Sequence, residues 1–427
     1  MKLNYKRVIL VGFAFFLISS FWQAYDAIIP LILENKYHLT NSQRGFIMAL
    51  DNILSLFMLP LFGSISDKTN TKFGKRTPYI FVGTILAVIF FVLATLVNEL
   101  ILFVIVLLLV LISMATFRSP AVALMPDVTI KPLRSKGNAI INLMGTFGGV
   151  IVLGLGVLFK TDTPFKTDFT FYTMAVCGLM LLALIIFLIT VKEPKWAQEM
   201  LEDTEKFGIE EKEEDNSKVE FKKLSKGQFV SLLLILASVF LWYFGYNAVT
   251  SNWSIYASNV LKMSFNIALI VAQAFAVITY VPAGIIASKI GRRKTILIGI
   301  TLLATAFGSA WFMNENSSPI ICYALFGLAG IGWATINVNS FPMVVELSKE
   351  GNVGKYTGYY YTASMAAQSL TPWCVGFIMD IIGNMSPLFI YATIFVVGSF
   401  ITMFFVKHGD SKPEQKKSLL ENFDNDD

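Results

Sequence analysis

Few residues in this 427-residue chain can do chemistry in a low-dielectric interior, and those that can are concentrated in its first third. Asp26, Asp51 and Arg118 stand inside long apolar runs, and Asp127 follows the run that holds Arg118. A charge placed in hydrocarbon is costly unless it is paired or hydrated, so each is a functional candidate. Arg118 offers a planar guanidinium with five donors, suited to a carboxylate or to vicinal hydroxyls. Its structural alternative is an Arg–Asp pair that locks two helices together. Asp26, Asp51 and Asp127 are the candidate proton-coupling carboxylates. Burial and a nearby arginine act on a carboxyl in opposite directions, and that opposition makes a protonation site which ligand or conformation can switch.

Neutral side chains that could complete a ligand site accompany these charges. In the first half they are Gln23 and Tyr25 beside Asp26, Asn52 beside Asp51, and Asn142; Trp22 stands in the same stretch. In the second half Tyr243, Tyr246, Asn247, Asn337 and Gln368 are the candidates, with Trp242, Trp333 and the tyrosines at 359–361 nearby. Aromatic faces cover the apolar faces of polyhydroxylated rings, and amides bind hydroxyls. Trp and Tyr also anchor helices at membrane interfaces, which is their structural reading. The second half holds few charges within its apolar runs, and Glu346 and Asp380 lie near run ends and read as interface residues. The expected division of labour gives coupling charges to the first half and neutral contacts to the second.

The elements that must position these residues follow from composition. Residues are 55% hydrophobic and only 15% charged, and mean hydropathy is +0.64; soluble domains carry about 25% charged residues. Apolar runs of about 20 residues recur along the chain, as helices crossing a bilayer require. The class is an all-α polytopic membrane protein. Twelve spans are predicted, at 8–33, 42–63, 79–98, 100–124, 138–159 and 169–191, then 229–258, 264–287, 294–313, 318–345, 356–380 and 386–406. The first apolar run is too long for a signal peptide and reads as a retained helix. Lys and Arg gather at the N-terminus, in alternate loops and in the tail, which predicts both termini on the cytoplasmic side. The expected domains are a six-helix bundle at 1–191, a charged cytoplasmic linker at 192–228, a second bundle at 229–407 and a cytoplasmic tail at 408–427. The linker reads as solvated, with an amphipathic helix around 196–207.

The halves repeat at an offset of about 221 residues, a spacing in register with two six-helix bundles. Gly63 before Asp67 corresponds to Gly284 before Ser288, Lys75-Arg76 to Arg292-Arg293, Pro120 to Pro342, and the run 134–137 to 355–358. A six-plus-six repeat is the architecture of a rocking transporter with its site at the midplane.

The segment from Gly63 through Asp67-Lys68 to Gly74-Lys75-Arg76 resembles the signature of the major facilitator superfamily, and Gly284 to Arg293 resembles a second copy with Ser288 where an acid is usual. Gly63, Asp67, Lys75, Arg76, Arg292 and Arg293 are accordingly expected to form a conformational latch rather than to bind substrate. The continuation Phe73-Gly-Lys-Arg-Thr-Pro-Tyr-Ile80, the segment from Phe117-Arg118-Ser-Pro120 to Asp127, and Leu50-Asp51-Asn52 look like bacterial relatives of the sucrose/proton symporters, close to the glycoside–pentoside–hexuronide group. That resemblance is strongest over residues 21–149. It implies the major facilitator fold and cation-coupled uptake of a sugar, with H⁺ or Na⁺ as the coupling ion and no other cofactor. A sodium-coupled carrier of the melibiose kind and a non-transporting sensor on the same fold are the alternatives.

Other functions find no support. With only His38 and His408, neither a histidine metal site within the membrane nor a histidine-dependent hydrolase can be assembled. Cys177, Cys322 and Cys374 form no paired framework. There is no phosphate-binding Gly-x4-Gly-Lys-Ser/Thr loop, and no enzyme is expected. The +5 net charge is accounted for by loop lysines and arginines, so no nucleic-acid partner is expected. Span five is rich in glycine but lacks the proline of the drug-antiporter motif; its glycines read as close-packing positions. The expectation is a monomer in a bacterial cytoplasmic membrane, with a small sugar and the lipid bilayer as its partners.

Overall fold

The computed structural model describes residues 3–207, 225–347 and 353–409. The linker stretch 208–224 and the tail from 410, including Lys412, Lys416 and Lys417, lie outside the described residues, so those parts of the expected domain plan are not addressed. Thirteen α-helices and no strand occur among the described residues. They are α1 Tyr5–Asn35, α2 Asn41–Lys68, α3 Thr77–Leu96, α4 Leu100–Asp127, α5 Arg134–Leu158, α6 Thr170–Thr190 and α7 Glu193–Lys206. The second series is α8 Lys226–Ile255, α9 Phe265–Ile290, α10 Arg292–Ala310, α11 Pro319–Val345, α12 Val353–Ile382 and α13 Pro387–Phe404. Each predicted span coincides with one helix, and α7 is the amphipathic helix of the linker. Eleven of the helices are long and apolar enough to cross a membrane. Helix α10 is not among them because Arg292, Arg293 and Lys294 occupy its first turn and dilute its apolar run.

The chain divides into two compact units. One comprises Met1–Tyr37 and Leu50–Glu211; the other comprises His38–Ala49 and Lys212–Asp427. In the first unit α1 packs on α5 and α6, and α3 packs on α4 and α6. Gly145 and Gly148 of α5 face Ser19 and Ser20 of α1 at a spacing that leaves no room for a methyl group. Close approach of small residues drives helix association where lipid and core are equally apolar. Phe21, Phe91, Phe103 and Phe117 are fully buried in this unit. In the second unit α11 packs on α9 and α10, and α8 packs on α12 and α13; Trp242, Trp253 and Tyr360 are buried there.

Large apolar side chains such as Ile101, Ile189 and Phe312 are more than 70% exposed. Such a surface suits hydrocarbon, not water. Pro120 lies inside α4 and Pro342 inside α11, at corresponding places in the repeat. Helix α8 ends in a π-helical turn, Tyr256–Leu261, closed by Lys262 in the left-handed conformation.

Candidate functional site

Helices α1, α2 and α4 bring Asp26, Asp51 and Arg118 into electrostatic reach of one another in the first unit. All three stand well inside their helices, flanked by apolar sequence. Asp26 is exposed and Asp51 half-buried. Asp51 Oδ1 accepts the Asn52 backbone N–H (2.5 Å) and the Asn52 side-chain Nδ2 (2.7 Å). Asn52 therefore orients the carboxylate and leaves Oδ2 free of these bonds.

Among the described residues no carboxylate lies within ion-pair distance of Arg118. The interhelical Arg–Asp lock is thus not what this structure contains. The guanidinium lies over the Trp22 ring instead, 5.6 Å from its centroid. The ring's quadrupole favours a cation on its face. Trp22 is fixed in turn by edge contacts with Phe21 and Tyr25, both with ring centroids 5.3 Å away. Tyr25 is fully buried with its hydroxyl near both carboxylates, and among the described residues neither that hydroxyl nor Trp22 Nε1 has a hydrogen-bond partner. A buried donor without a partner is expensive. Gln23 and Asn142 are half-buried members of α1 and α5.

Asp127 belongs elsewhere. It accepts Arg76 Nε at 2.7 Å, and Arg76 also donates to Asp67 and to the Ser66 hydroxyl. The structure places Asp127 with the signature arginine rather than beside Asp26 and Asp51, because α4 runs on to carry it to the start of α3. Gly63 faces Ser119 of α4, while the Lys75 side chain is exposed and its backbone N–H donates to Glu193. In the second unit Arg292 pairs with Glu346, again joining the start of a third helix to the end of a fourth. Among the described residues, the Ser288 hydroxyl donates to the Ile285 carbonyl of its own helix. Arg293 donates to the Met403 and Phe404 carbonyls, capping the end of α13.

The aromatic candidates of the second unit form one group. Tyr246 stacks on Trp333 (6.2 Å), Trp333 meets Tyr280 edge-on (6.4 Å), and Trp242 stacks on Tyr243 (3.8 Å). Asn247 Nδ2 donates to the Tyr243 carbonyl one turn back, so part of its capacity serves the helix. Asn337 is buried on α11 and Gln368 half-buried on α12.

Two important residues were not singled out by the sequence. Glu193, first residue of α7, is buried and accepts the backbone N–H groups of Lys75 (2.6 Å), Arg76 (2.9 Å) and Thr77 (2.8 Å) and the Thr77 hydroxyl (2.7 Å). A carboxylate on the orphan donors of a helix start is favoured by both hydrogen bonding and the helix dipole. The linker expected to be solvated is in fact anchored at its start. Gly74 allows this contact by adopting φ +109°, with its Cα against the Glu193 carboxylate. The other residue is Arg44, only 1% exposed, which donates to Asn41 (2.7 Å) and to Asn252 of α8 (3.2 Å).

The sequence profile of the Major Facilitator Superfamily matches residues 11–281 and 265–422. An uncharacterized MFS-type transporter of Methanocaldococcus jannaschii is 23% identical over 409 residues, spanning 94% of this chain and 95% of that protein. Among solved structures, the xylose transporter XylE from E. coli in an inward-open conformation is similar at TM-score 0.69 with 15% identity, covering 98% of this chain and 99% of that one. A mutant of the nucleoside transporter NupG is similar at TM-score 0.67 and 13% identity over 94% and 98%. A D-xylose–proton symporter is similar at 0.66 and 15% over 94% and 98%. With the signature cluster around Arg76, the repeated helices and the profile match over nearly its whole length, the chain belongs to the major facilitator superfamily and is a multi-pass membrane transporter, not an enzyme.

Proposed function

We propose that the chain is a proton-coupled symporter that takes up a sugar, a glycoside or an oligosaccharide, by alternating access. One observation carries the reading: Asp26 and Asp51 stand beside a guanidinium without an ion-pair partner, inside helices that are otherwise apolar. With both carboxylates ionised the cluster bears one net negative charge, and a single proton makes it neutral. A neutral cluster changes environment at far lower cost than a charged one, which couples the proton to the moving step. Arg118 keeps its donors for sugar hydroxyls because Trp22 occupies its face and no carboxylate its edge. Within the second unit, the half-buried Tyr246 and Trp333 carry aromatic faces of the kind that suit a sugar ring. The fold likeness to xylose transporters is consistent with that substrate class.

The test is uptake of labelled mono- and disaccharides into energised vesicles, with and without a proton uncoupler and Na⁺. At least one sugar is expected to accumulate, to be lost with uncoupler and to be indifferent to Na⁺. No accumulation of any sugar overturns the symporter reading and favours a sensor. Accumulation that needs Na⁺ and ignores the uncoupler overturns the proton and assigns Na⁺ to the carboxylates.

A further inference from the structure

Past the end of α13 the chain stays against the second unit for a few residues more. Ser231, in the second turn of α8 and only 2% exposed, accepts the backbone N–H groups of Lys407 (3.3 Å) and His408 (3.2 Å) on its hydroxyl oxygen. The same oxygen lies 3.0 Å from His408 Nδ1. The imidazole rests against Gly227 of α8, where a Cβ would come within 2.9 Å of its Cε1. Gly409 then turns at φ +86° against α11, its own Cβ position lying 3.1 Å from Leu347 and 3.2 Å from the Met343 carbonyl oxygen.

Counting hydrogens fixes the state of the imidazole. A hydroxyl has one proton to give and two lone pairs to fill. The two backbone N–H groups fill the lone pairs of Ser231, so its proton goes to His408 Nδ1. That nitrogen must then be an acceptor, which makes His408 neutral with its hydrogen on Nε2. A protonated imidazole donates from both nitrogens, and Nδ1–H would meet an oxygen with no lone pair left. One of the three bonds has to go.

Neither helix depends on these bonds. Helix α8 begins on its own capping box, Ser225 with Gln228, and Arg293 closes the end of α13. The three bonds therefore hold residues 407–409 alone. The charged groups on the surrounding elements are Lys226 of α8, Lys407 itself, Arg293 and Lys294 of α10, and Glu346 of α11 in its pair with Arg292. Among the described residues no carboxylate lies within ion-pair distance of His408, so a charged imidazole gains no partner that would keep it in place.

We propose that His408 is a pH-sensitive fastener: its neutral imidazole docks the chain beyond α13 onto α8 and α11, and protonation weakens that docking. The docked state excludes a proton that the undocked imidazole takes up. Docking is therefore full at the alkaline end of the imidazole range, about pH 5 to 8, and is lost as pH falls through it. With both termini cytoplasmic, as the loop charges predict, the pH concerned is the cytoplasmic one.

The experiment uses the full chain in nanodiscs of neutral lipid with nitrogen-15 histidine. His38 and His408 are the two histidines, so the His408→Asn spectrum assigns both. At about pH 8 the His408 signals should show Nδ1 bare and Nε2 protonated. Amide-exchange protection factors at Lys407 and His408 should fall at least about fivefold between about pH 8 and 5.5, the size of one lost hydrogen bond, while the interior of α13 keeps its protection. His408→Asn retains an acceptor atom and cannot titrate, so its protection should be equal at both pH values. Ser231→Ala should be weakly protected at both. A proton on Nδ1 at the alkaline end overturns the proposal, as does equal protection of the native chain at both pH values. A fall of the same size in His408→Asn, or native protection in Ser231→Ala, overturns it too. These readouts need neither sugar nor a proton gradient, so the fastener can fail while uptake stands, and absent uptake leaves this result intact.

Discussion

Replacing Asp51 by Asn removes a proton site while keeping the side chain's volume and its neighbour Asn52. If Asp51 carries the coupled proton, Asp51→Asn abolishes sugar accumulation but leaves part of the sugar exchange across vesicles with equal proton concentrations. Loss of neither removes Asp51 from the coupling role. Arg118→Lys keeps the charge and discards the planar fork, so sugar affinity should fall by at least about tenfold, as expected for a lost bidentate contact. An unchanged half-saturation concentration would show that the guanidinium does not touch the sugar. Trp22→Leu should weaken uptake through Arg118, because the face that holds the guanidinium is gone. Asp127 is expected to behave differently: as a partner of Arg76, its substitution should alter protein stability without changing the pH dependence of exchange.

Elements are held together by carboxylates placed on helix starts. Glu193 joins α7 to the start of α3, and the ion pair of Arg7 with Glu199, reinforced by Arg7 lying over Trp196 at 5.3 Å, holds the next turns of α7 to α1. Glu193→Gln should destabilise the purified protein by about 1–2 kcal/mol, read from thermal melting, since a buried charged acceptor is replaced by a neutral one. Gly74→Ala should cost a similar or larger amount, about 1–3 kcal/mol, because its backbone lies in the left-handed region and its Cβ would meet the Glu193 carboxylate. The double variant should cost less than the sum, as the two changes disrupt one contact. Full additivity would mean that the helix start and the linker helix are independent.

For the molecule as a whole, packing separates residues that the sequence treats alike. Cys177 and Cys322 are buried within their units, while Cys374 is half-exposed on α12. A small membrane-permeant alkylating agent should therefore modify one thiol per native chain and three after denaturation, counted by intact-mass measurement. Equal reactivity of all three would contradict the described packing of α6 and α11. The repeat shows the same selectivity. Arg76 gathers Asp67, Asp127 and Ser66, whereas its counterpart Arg292 has Glu346 and no contribution from Ser288. One unit thus carries a dense polar cluster where the other carries a single pair.

Hydropathy and loop charge determined the helices, because a bilayer admits few ways to satisfy a backbone, and each span shows as its own apolar run. The signature residues and the repeat were legible for a related reason: glycine, acid and arginine lie within a few residues of one another, so spacing along the chain stands for spacing in the fold. Asp26, Asp51 and Arg118 could be picked out as charges in apolar runs, but not their relation. Only the tertiary structure shows that Arg118 rests on Trp22 and leaves the aspartates unpaired, and that Asp127 turns to Arg76 instead. Glu193 and Asp380 were hidden more completely. Their partners are backbone N–H groups 116 and more residues away in sequence, and a backbone donor has no letter in the sequence to announce it.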